Sequence, residues 1–118
     1  MMGDLTENFS RAEFACKDGC GFDRIDIGIV HRLQMCRDII NEEIIIKSGC
    51  RCGRHNINIG GEPNSYHLQG KAADWTIKDL DKLRRFGVFM EDKWSGGWHY
   101  YADQNFIHCD TGPRRRWS

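Results

Sequence analysis

The sequence predicts an α+β domain in which helices flank a small antiparallel sheet. Three observations lead to this prediction. Apolar residues recur at helical intervals over residues 26–40, a β-branched run occupies residues 44–46, and two aromatic runs near the C-terminus are separated by the letters ADQ. With 118 residues, 40% hydrophobic and 29% charged, the chain has the size and composition of one globular domain, so residues 1–118 are assigned to a single domain.

The N-terminal half is predicted to contain a helical turn, a long helix and a strand. Ser10 and Glu13 have the spacing of a capping box, which predicts a short helical turn there. The core-facing positions of the long helix, residues 26–40, are predicted to be Ile29, Leu33, Cys36 and Ile40. Residues 44–46 are three isoleucines followed closely by Gly49, which is typical of a buried strand.

The C-terminal half is predicted to contain a loop, a second helix and a hairpin. Glycines and asparagines between residues 49 and 63 favour an ordered loop without a regular element. Residues 76–93 are predicted to form the second helix, with Leu80, Leu83 and either Phe86 or Gly87 toward the core. The runs WHYY and NFIHCD are then expected to pair as the two strands of a hairpin.

The charge balance excludes some classes of partner. Seventeen Lys and Arg residues offset seventeen Asp and Glu residues, so no overall field attracts nucleic acid or an anionic membrane. The N-terminal letters MMGDLTENFSRAEF show neither a signal peptide nor a membrane span. We therefore expect a monomer that is made in the cytoplasm and binds neither nucleic acid nor membrane.

Two segments carry side chains that are suited to bind a metal. In FIHCD, the strand period of two places His108 and Asp110 on one face, opposite two apolar residues. In SYHLQGKAADW, small residues separate His67 from Asp74 and let the chain turn tightly beside an ion. His67, Asp74 and His108 offer two imidazoles and one carboxylate, a zinc set with an open fourth position that is typical of hydrolytic sites; the alternative is that the histidines are structural.

The stretches SGCRCGRHNINIGGEPNSYHLQGKAADW and GGWHYYADQNFIHCDTGPRRRW resemble the zinc D-Ala-D-Ala carboxypeptidase family of peptidoglycan metallopeptidases. The wider group includes lysostaphin-type enzymes and the hedgehog signalling domain. The family pattern Ser-x-His-x-x-Gly-x-Ala-x-Asp is matched at every fixed position, by Ser65, His67, Gly70, Ala72 and Asp74. The resemblance runs from NFSRAEFAC to the terminal RRW, is strongest to the small subgroup that ends in His-x-Asp-x-Gly, and implies a hedgehog/D,D-peptidase-like fold.

The resemblance also implies roles for individual residues. His67, Asp74 and His108 are implied to be the ligands of Zn²⁺, and no organic cofactor is needed. Arg51 in SGCR matches an arginine that binds a substrate carboxylate or carbonyl, which suits the fixed donor fork of a guanidinium. Ser65 matches a serine that hydrogen-bonds the substrate or a metal ligand.

The general base is the role that the resemblance leaves open. Many relatives place an acidic residue three positions before the last histidine, where this chain has Asn105, which cannot accept a proton at neutral pH. Asp110 belongs to the His-x-Asp-x-Gly ending and shares the strand face of His108, so Asp110 is the first candidate. Asp103 and His99 are the alternatives.

The function that the resemblance implies is zinc-dependent hydrolysis of peptide bonds in peptidoglycan stem peptides or crosslinks, by a carboxypeptidase or an endopeptidase. A phage or prophage lysis enzyme is expected, acting on the cell wall when it is released or carried on a virion. The alternative is a non-catalytic zinc-containing module that binds the cell wall or builds the virion, which Asn105 favours. Zero net charge and the lack of paired C-x-x-C units disfavour a zinc module that binds nucleic acid.

The six cysteines leave several states open. Cys16, Cys20 and Cys52, with or without Cys50, are compatible with a second, structural zinc site, with a disulfide or with free thiols. The two remaining cysteines, Cys36 and Cys109, lie on apolar faces and are predicted to be buried thiols.

The remaining basic and imidazole groups are predicted to have structural or surface positions. His55 is predicted to shape its loop, with metal ligation as the alternative, and His31 is predicted to lie on the long helix outside the site. The basic residues 114–116 are predicted to form a solvated tail, with contact to an anionic wall polymer as the alternative.

Overall fold

A computed structural model describes residues 3–117 of the chain. Within this range the α-helices are α1 (Ile27–Ile40), α2 (Gly53–Asn58) and α3 (Leu80–Glu91), and the strands are β1 (Ile45–Ser48), β2 (Ala72–Thr76), β3 (Trp98–Tyr101) and β4 (Phe106–Asp110). Two 3-10 turns add Arg11–Phe14 and Tyr66–Gln69. The strands form one antiparallel sheet in the order β1-β2-β4-β3, which confirms the predicted α+β class.

The two best-defined predictions of the N-terminal half agree with the structure. Glu13 accepts a hydrogen bond from the backbone N–H of Ser10 at 2.7 Å and holds the first 3-10 turn. Asp26 caps α1 by accepting from the N–H of Gly28 at 3.1 Å, and Asn41 ends the helix in the left-handed region. The four core positions predicted for this helix are buried, together with Val30.

The predicted strand is present as β1, and it is buried on one face only. Ile44 and Ile46 lie in the core, but Ile45 is 39% exposed. The reason is the period of two along an extended chain, which sends every second side chain away from the core. Three consecutive isoleucines conceal this alternation in the sequence.

The loop prediction for residues 49–63 is wrong in part, because this segment contains the short helix α2. The prediction also omitted β2, which lies between β1 and β4. Ala72 and Ala73 belong to this central strand and are fully buried, so they do not form the tight turn that was expected of them. The turn itself is made by Gly70, which has a φ of 68°.

The second helix begins later than predicted. Asp79 caps α3 by accepting from the N–H of Lys82 at 3.1 Å, so residues 76–78 lie outside the helix. Leu83, Phe86 and Gly87 are buried as predicted, and both alternatives offered for the third core position are therefore correct. The inward position predicted for Leu80 is wrong, since this side chain in the first turn is 45% exposed.

The C-terminal hairpin forms as predicted, with β3 paired to β4. One face of the sheet packs on α1 and α3 around a group of large aromatic side chains, namely Trp75, Phe86, Trp94 and Trp98. The indole N–H of Trp98 donates to the carbonyl of Gly87 at 3.0 Å, which ties the hairpin to α3. In the described range, no helix has the length and apolar character to cross a membrane.

Candidate metal centre

Three separate segments bring His67, Asp74 and His108 together. His67 lies in the second 3-10 turn, while Asp74 on β2 is the register partner of His108 on β4. The ligand atoms of these three side chains all lie within 4.8 Å of one another. The two strand residues share the sheet face opposite the aromatic core, and Ile107 and Cys109 point into the core as the alternation predicted.

Hydrogen bonds fix both imidazole rings. Nε2 of His67 and Nδ1 of His108 lie 3.2 and 2.9 Å from the same oxygen, Oδ1 of Asp74. The outer nitrogens face acceptors, because Nδ1 of His67 is 2.6 Å from the Gly49 carbonyl and Nε2 of His108 is 2.8 Å from Asp110. With a proton on each outer nitrogen, both inner nitrogens keep a free lone pair, as zinc ligation by neutral imidazoles requires.

Asp74 is suited to the ionised state that a metal ligand needs. Burial opposes its ionisation, but the hydrogen bonds that His108 and His67 donate before a metal takes the place of the protons on their inner nitrogens outweigh burial, and they hold the pKa of this carboxyl well below its ordinary value. Its second oxygen, Oδ2, lies 3.0 Å from Nη2 of Arg51. The set of two imidazoles and one carboxylate therefore fits a zinc ion with an open coordination position.

The turn that carries His67 is closed at both ends. Ser65 accepts a hydrogen bond from the N–H of His67 at 3.2 Å, and Gly70 in the left-handed conformation donates to the His67 carbonyl at 3.2 Å. A side chain at Gly70 would collide with the carbonyl of Arg24. Ser65, a predicted site residue, thus supports the segment that presents His67 and also lines the adjoining cavity.

Arg51, which was predicted to bind substrate, reaches the same site. Its guanidinium donates to Ser48 at 3.1 Å, to Asn56 at 3.2 Å and to Asp74 at 3.0 Å. Since a guanidinium has five N–H donors, two of them are not used in these contacts. Asn56, a buried residue of α2, was not identified from the sequence as part of the site.

Asp110 lies behind His108 and has no exposed surface. Its Oδ2 accepts hydrogen bonds from His108 and Arg115, and its Oδ1 accepts from the N–H groups of Gly97 and Gly112, each at 3.0 Å. Burial opposes ionisation, yet the hydrogen bonds from His108 and Arg115 hold the pKa of Asp110 below its ordinary value. Each oxygen of this carboxylate thus accepts two hydrogen bonds from neighbouring groups.

The other residues considered for the general base occupy different positions. Asn105 lies in the hairpin turn with a φ of 56°, a left-handed conformation that asparagine adopts more readily than most residues. Asp103 is exposed in the same turn. His99 stacks on Trp117, with a ring centroid distance of 5.3 Å. None of these three lines the cavity over the donor atoms, whereas Glu62 does.

This cavity has a volume of about 680 Å³ and is open to solvent. Its floor carries the three donor side chains, and its walls carry two cations, Arg51 and Arg115. The aromatic lining residues are Tyr66, Tyr101, Phe106 and Trp117. Of the aromatic residues in β3, Tyr101 lines the cavity, whereas Trp98 is buried in the core.

The C-terminal basic run is docked, and the prediction of a solvated tail is wrong. Arg114 donates to the Trp94 carbonyl at 2.8 Å, and Arg116 donates to the carbonyls of Glu91, Trp94 and Gly96. Arg115 turns the other way and pairs with Asp110. Residues 114–116 are three identical arginines, so the sequence contains no signal that separates Arg115 from its neighbours.

Comparison with known proteins gives a consistent group of relatives. A family model described as Peptidase M15 matches residues 7–110. The probable peptidoglycan L,D-endopeptidase MepK of Haemophilus influenzae is 36% identical over an alignment of 92 residues, which covers 74% of this chain and 49% of that protein. The peptidoglycan L,D-endopeptidase MepK of Escherichia coli K12 is 40% identical over 60 residues, which are 49% of this chain and 31% of that protein. The chain spans no more than about half the length of these relatives.

Proposed function

Because the chain belongs to the peptidase M15 family, we propose that it is a zinc-dependent peptidase that hydrolyses peptide bonds in peptidoglycan stem peptides or crosslinks. The observation that carries the proposal is the convergence of two imidazoles and one carboxylate on the floor of an open cavity. The names of the relatives favour an endopeptidase that cuts at an L,D bond over a carboxypeptidase.

The metal would be held by Nε2 of His67, the carboxylate of Asp74 and Nδ1 of His108. Zinc bound there supplies an acidified water and a Lewis acid that polarises the scissile carbonyl. Gly49 and Asp110 keep the two rings in the tautomers that present these nitrogens. Arg51 steadies Asp74 and directs its unused N–H donors at the substrate carbonyl or carboxylate.

The proton acceptor that we propose is Glu62 and not Asp110. Asp110 already accepts four hydrogen bonds and has no exposed surface, so it acts as a positioning residue for His108 and Arg115. Glu62 is the remaining carboxylate in the cavity wall among the described residues. We place Glu62 first as the group that takes a proton from water and passes it to the leaving amine, ahead of Asp103 and His99.

The walls of the cavity suit a peptide that bears a free carboxylate, as stem peptides do. Arg115 is held by Asp110, and its guanidinium lies 4.9 Å from the ring centroid of Tyr66. A cation in the cavity wall attracts a carboxylate, and the aromatic faces pack against aliphatic side chains and methyl groups. We propose that the protein acts on the cell wall as a monomer.

The test is digestion of purified peptidoglycan, read by mass spectrometry, together with the zinc content of the protein. Wild type is expected to release defined peptides, and His67→Ala is expected to lose both the metal at this centre and the activity. His31→Ala is the control, because His31 is exposed on α1 outside the cavity. Bound zinc with no cleavage of any wall type would instead support the non-catalytic wall-binding module.

A further inference from the structure

A second group of metal-binding side chains lies outside the cavity. Cys16, Asp18, Cys20 and Cys52 each offer one ligand atom, and these atoms all lie within 4.8 Å of one another. We propose that these four side chains form a structural zinc site with three thiolates and one carboxylate. This site is independent of the proposed peptidase activity.

The spacing of the donor atoms suits tetrahedral zinc. With Zn–S distances of about 2.3 Å, the sulfur atoms around one ion lie about 3.8 Å apart, within the limit that the structure shows. Asp18 lies at the centre of the group, since Oδ1 is 3.2 Å from Sγ of Cys16 and Oδ2 is 3.1 Å from Sγ of Cys52. A small shift of these side chains would place one ion between them.

The loop that carries the first three donors has a spacing and a backbone conformation that suit a zinc site. Cys16 and Cys20 are separated by three residues, a spacing common in structural zinc sites. Gly19 and Gly21 have φ angles of 77° and 93°, which L side chains rarely adopt. These glycines let the loop curl back so that Asp18 and Cys20 face Cys52 from the other side of the group.

Two backbone N–H groups contact sulfur atoms of this group. The N–H of Cys52 points at Sγ of Cys16, and the N–H of His55 points at Sγ of Cys52, both at 3.4 Å. Backbone N–H groups in these positions can serve as the outer hydrogen-bond donors of metal-bound sulfur atoms. Arg54 lies 3.1 Å from Asp18 and offsets part of the surplus negative charge that three thiolates and a carboxylate leave around a divalent ion.

A zinc ion accounts for the group better than a disulfide does. All six cysteines are free thiols in this structure. A disulfide joins two sulfur atoms and leaves the third cysteine outside the bond, whereas tetrahedral zinc uses all three sulfur atoms together with Asp18. The other cysteines, Cys36, Cys50 and Cys109, are buried and do not belong to the group.

The site would join the N-terminal loop to the segment that carries Arg51. Cys52 follows Arg51 directly, and the N–H of Cys50 donates to the Phe14 carbonyl at 2.8 Å. The N–H of Arg51 donates to the His67 carbonyl at 3.0 Å, so this segment lies between the N-terminal loop and the turn with His67. Zinc at the cysteine group would therefore stabilise the position of Arg51 without facing the cavity.

Cobalt substitution distinguishes the two sites. Thiolates bound to Co²⁺ give an intense charge-transfer band in the near ultraviolet, while a site of two imidazoles and a carboxylate gives none. We expect two zinc ions per chain in wild type, and we expect the band to persist in His67→Ala, which removes the cavity metal. A failure of the peptidase proposal would thus leave this readout unchanged.

The cysteine variants complete the test. Cys20→Ser is expected to lower the affinity for the second zinc by about tenfold or more in a chelator competition, and to weaken the cobalt band. Cys20 is exposed, so this change removes little packing. Cys50→Ala is the matched control, a cysteine two positions before Cys52 whose loss should leave the band intact. One zinc per chain in folded wild type, with no charge-transfer band, overturns the proposal.

Discussion

Asp74 and His108 are register partners across β2 and β4, and Oδ1 of Asp74 lies 2.9 Å from Nδ1 of His108. Antiparallel partners that face the same side of a sheet have neighbouring Cβ atoms, so strand pairing by itself brings the two side chains this close. His67 then needs only a short turn to complete the group, and that turn is closed by Ser65 and Gly70.

Replacing Asp74 by Ala is predicted to abolish zinc binding at the cavity and to destabilise the fold. The change leaves the guanidinium of Arg51, whose side chain is 11% exposed, without its carboxylate partner. Breaking a buried pair in this way costs about 3 kcal/mol in the free energy of unfolding, which urea denaturation measures. Asp81→Ala is the control, because it removes an exposed pair with Arg84 and should change stability by less than about 0.5 kcal/mol.

Asp110→Asn tests whether this residue positions His108 or accepts the catalytic proton. An amide has only one acceptor oxygen, so it cannot accept all four hydrogen bonds that the carboxylate accepts, and its NH2 group would face either His108 and Arg115 or the two backbone N–H groups. We therefore expect the affinity for zinc at the cavity to fall about 10- to 100-fold. Isothermal titration of the Asp110→Asn variant with zinc measures this affinity, and the cysteine group is the same as in the wild type. Full zinc affinity combined with lost activity would return the general-base role to Asp110.

Glu62→Gln is predicted to give the opposite result. Because Glu62 lines the cavity without being a donor of the metal group, zinc binding should be unchanged. Loss of a general base lowers kcat by about 10²- to 10⁴-fold, which a peptide-release assay measures. Asp103→Asn and His99→Gln, assayed alongside, are expected to keep most of the activity, and a large loss in either would move the role to that residue.

Trp117→Ala is predicted to weaken substrate binding while zinc binding persists. Trp117 lines the cavity wall and stacks on His99. An aromatic contact contributes about 0.5–1.5 kcal/mol, so kcat/KM should fall about two- to twelvefold, mainly through KM. Phe89→Ala removes an aromatic side chain on α3 that is 49% exposed and outside the cavity, and it should leave both constants unchanged.

Gly70→Ala is predicted to destabilise the protein more than Gly60→Ala. Both glycines have positive φ angles, of 68° and 74°, so both substitutions carry the strain of about 1 kcal/mol for a left-handed L residue. At Gly60 an added Cβ meets no atom within 4 Å, whereas at Gly70 it meets the Arg24 carbonyl. The difference between the two melting temperatures measures the clash alone, and equal values would show that the turn with His67 relaxes freely.

Much of the fold and of the metal group was predictable from local patterns. Helix α1 carries a helical period with a capping aspartate, and the hairpin carries two strand-forming runs around a turn. The period of two along β4 was enough to place His108 and Asp110 on one face of that strand. The motif around His67 and Asp74 then supported the resemblance to a peptidase family, to which the chain does belong.

Other features depend on partners that are distant in the sequence. Strand β2 has only five residues and two of them are alanines, so its local signal is weak, and it is a strand because β1 and β4 hydrogen-bond to both of its edges. The role of Asp110 follows from Arg115 and two backbone N–H groups that pack around it. Sequence periodicity thus determined which face each residue occupies, while tertiary packing decided which groups are buried, hydrogen-bonded and free to react.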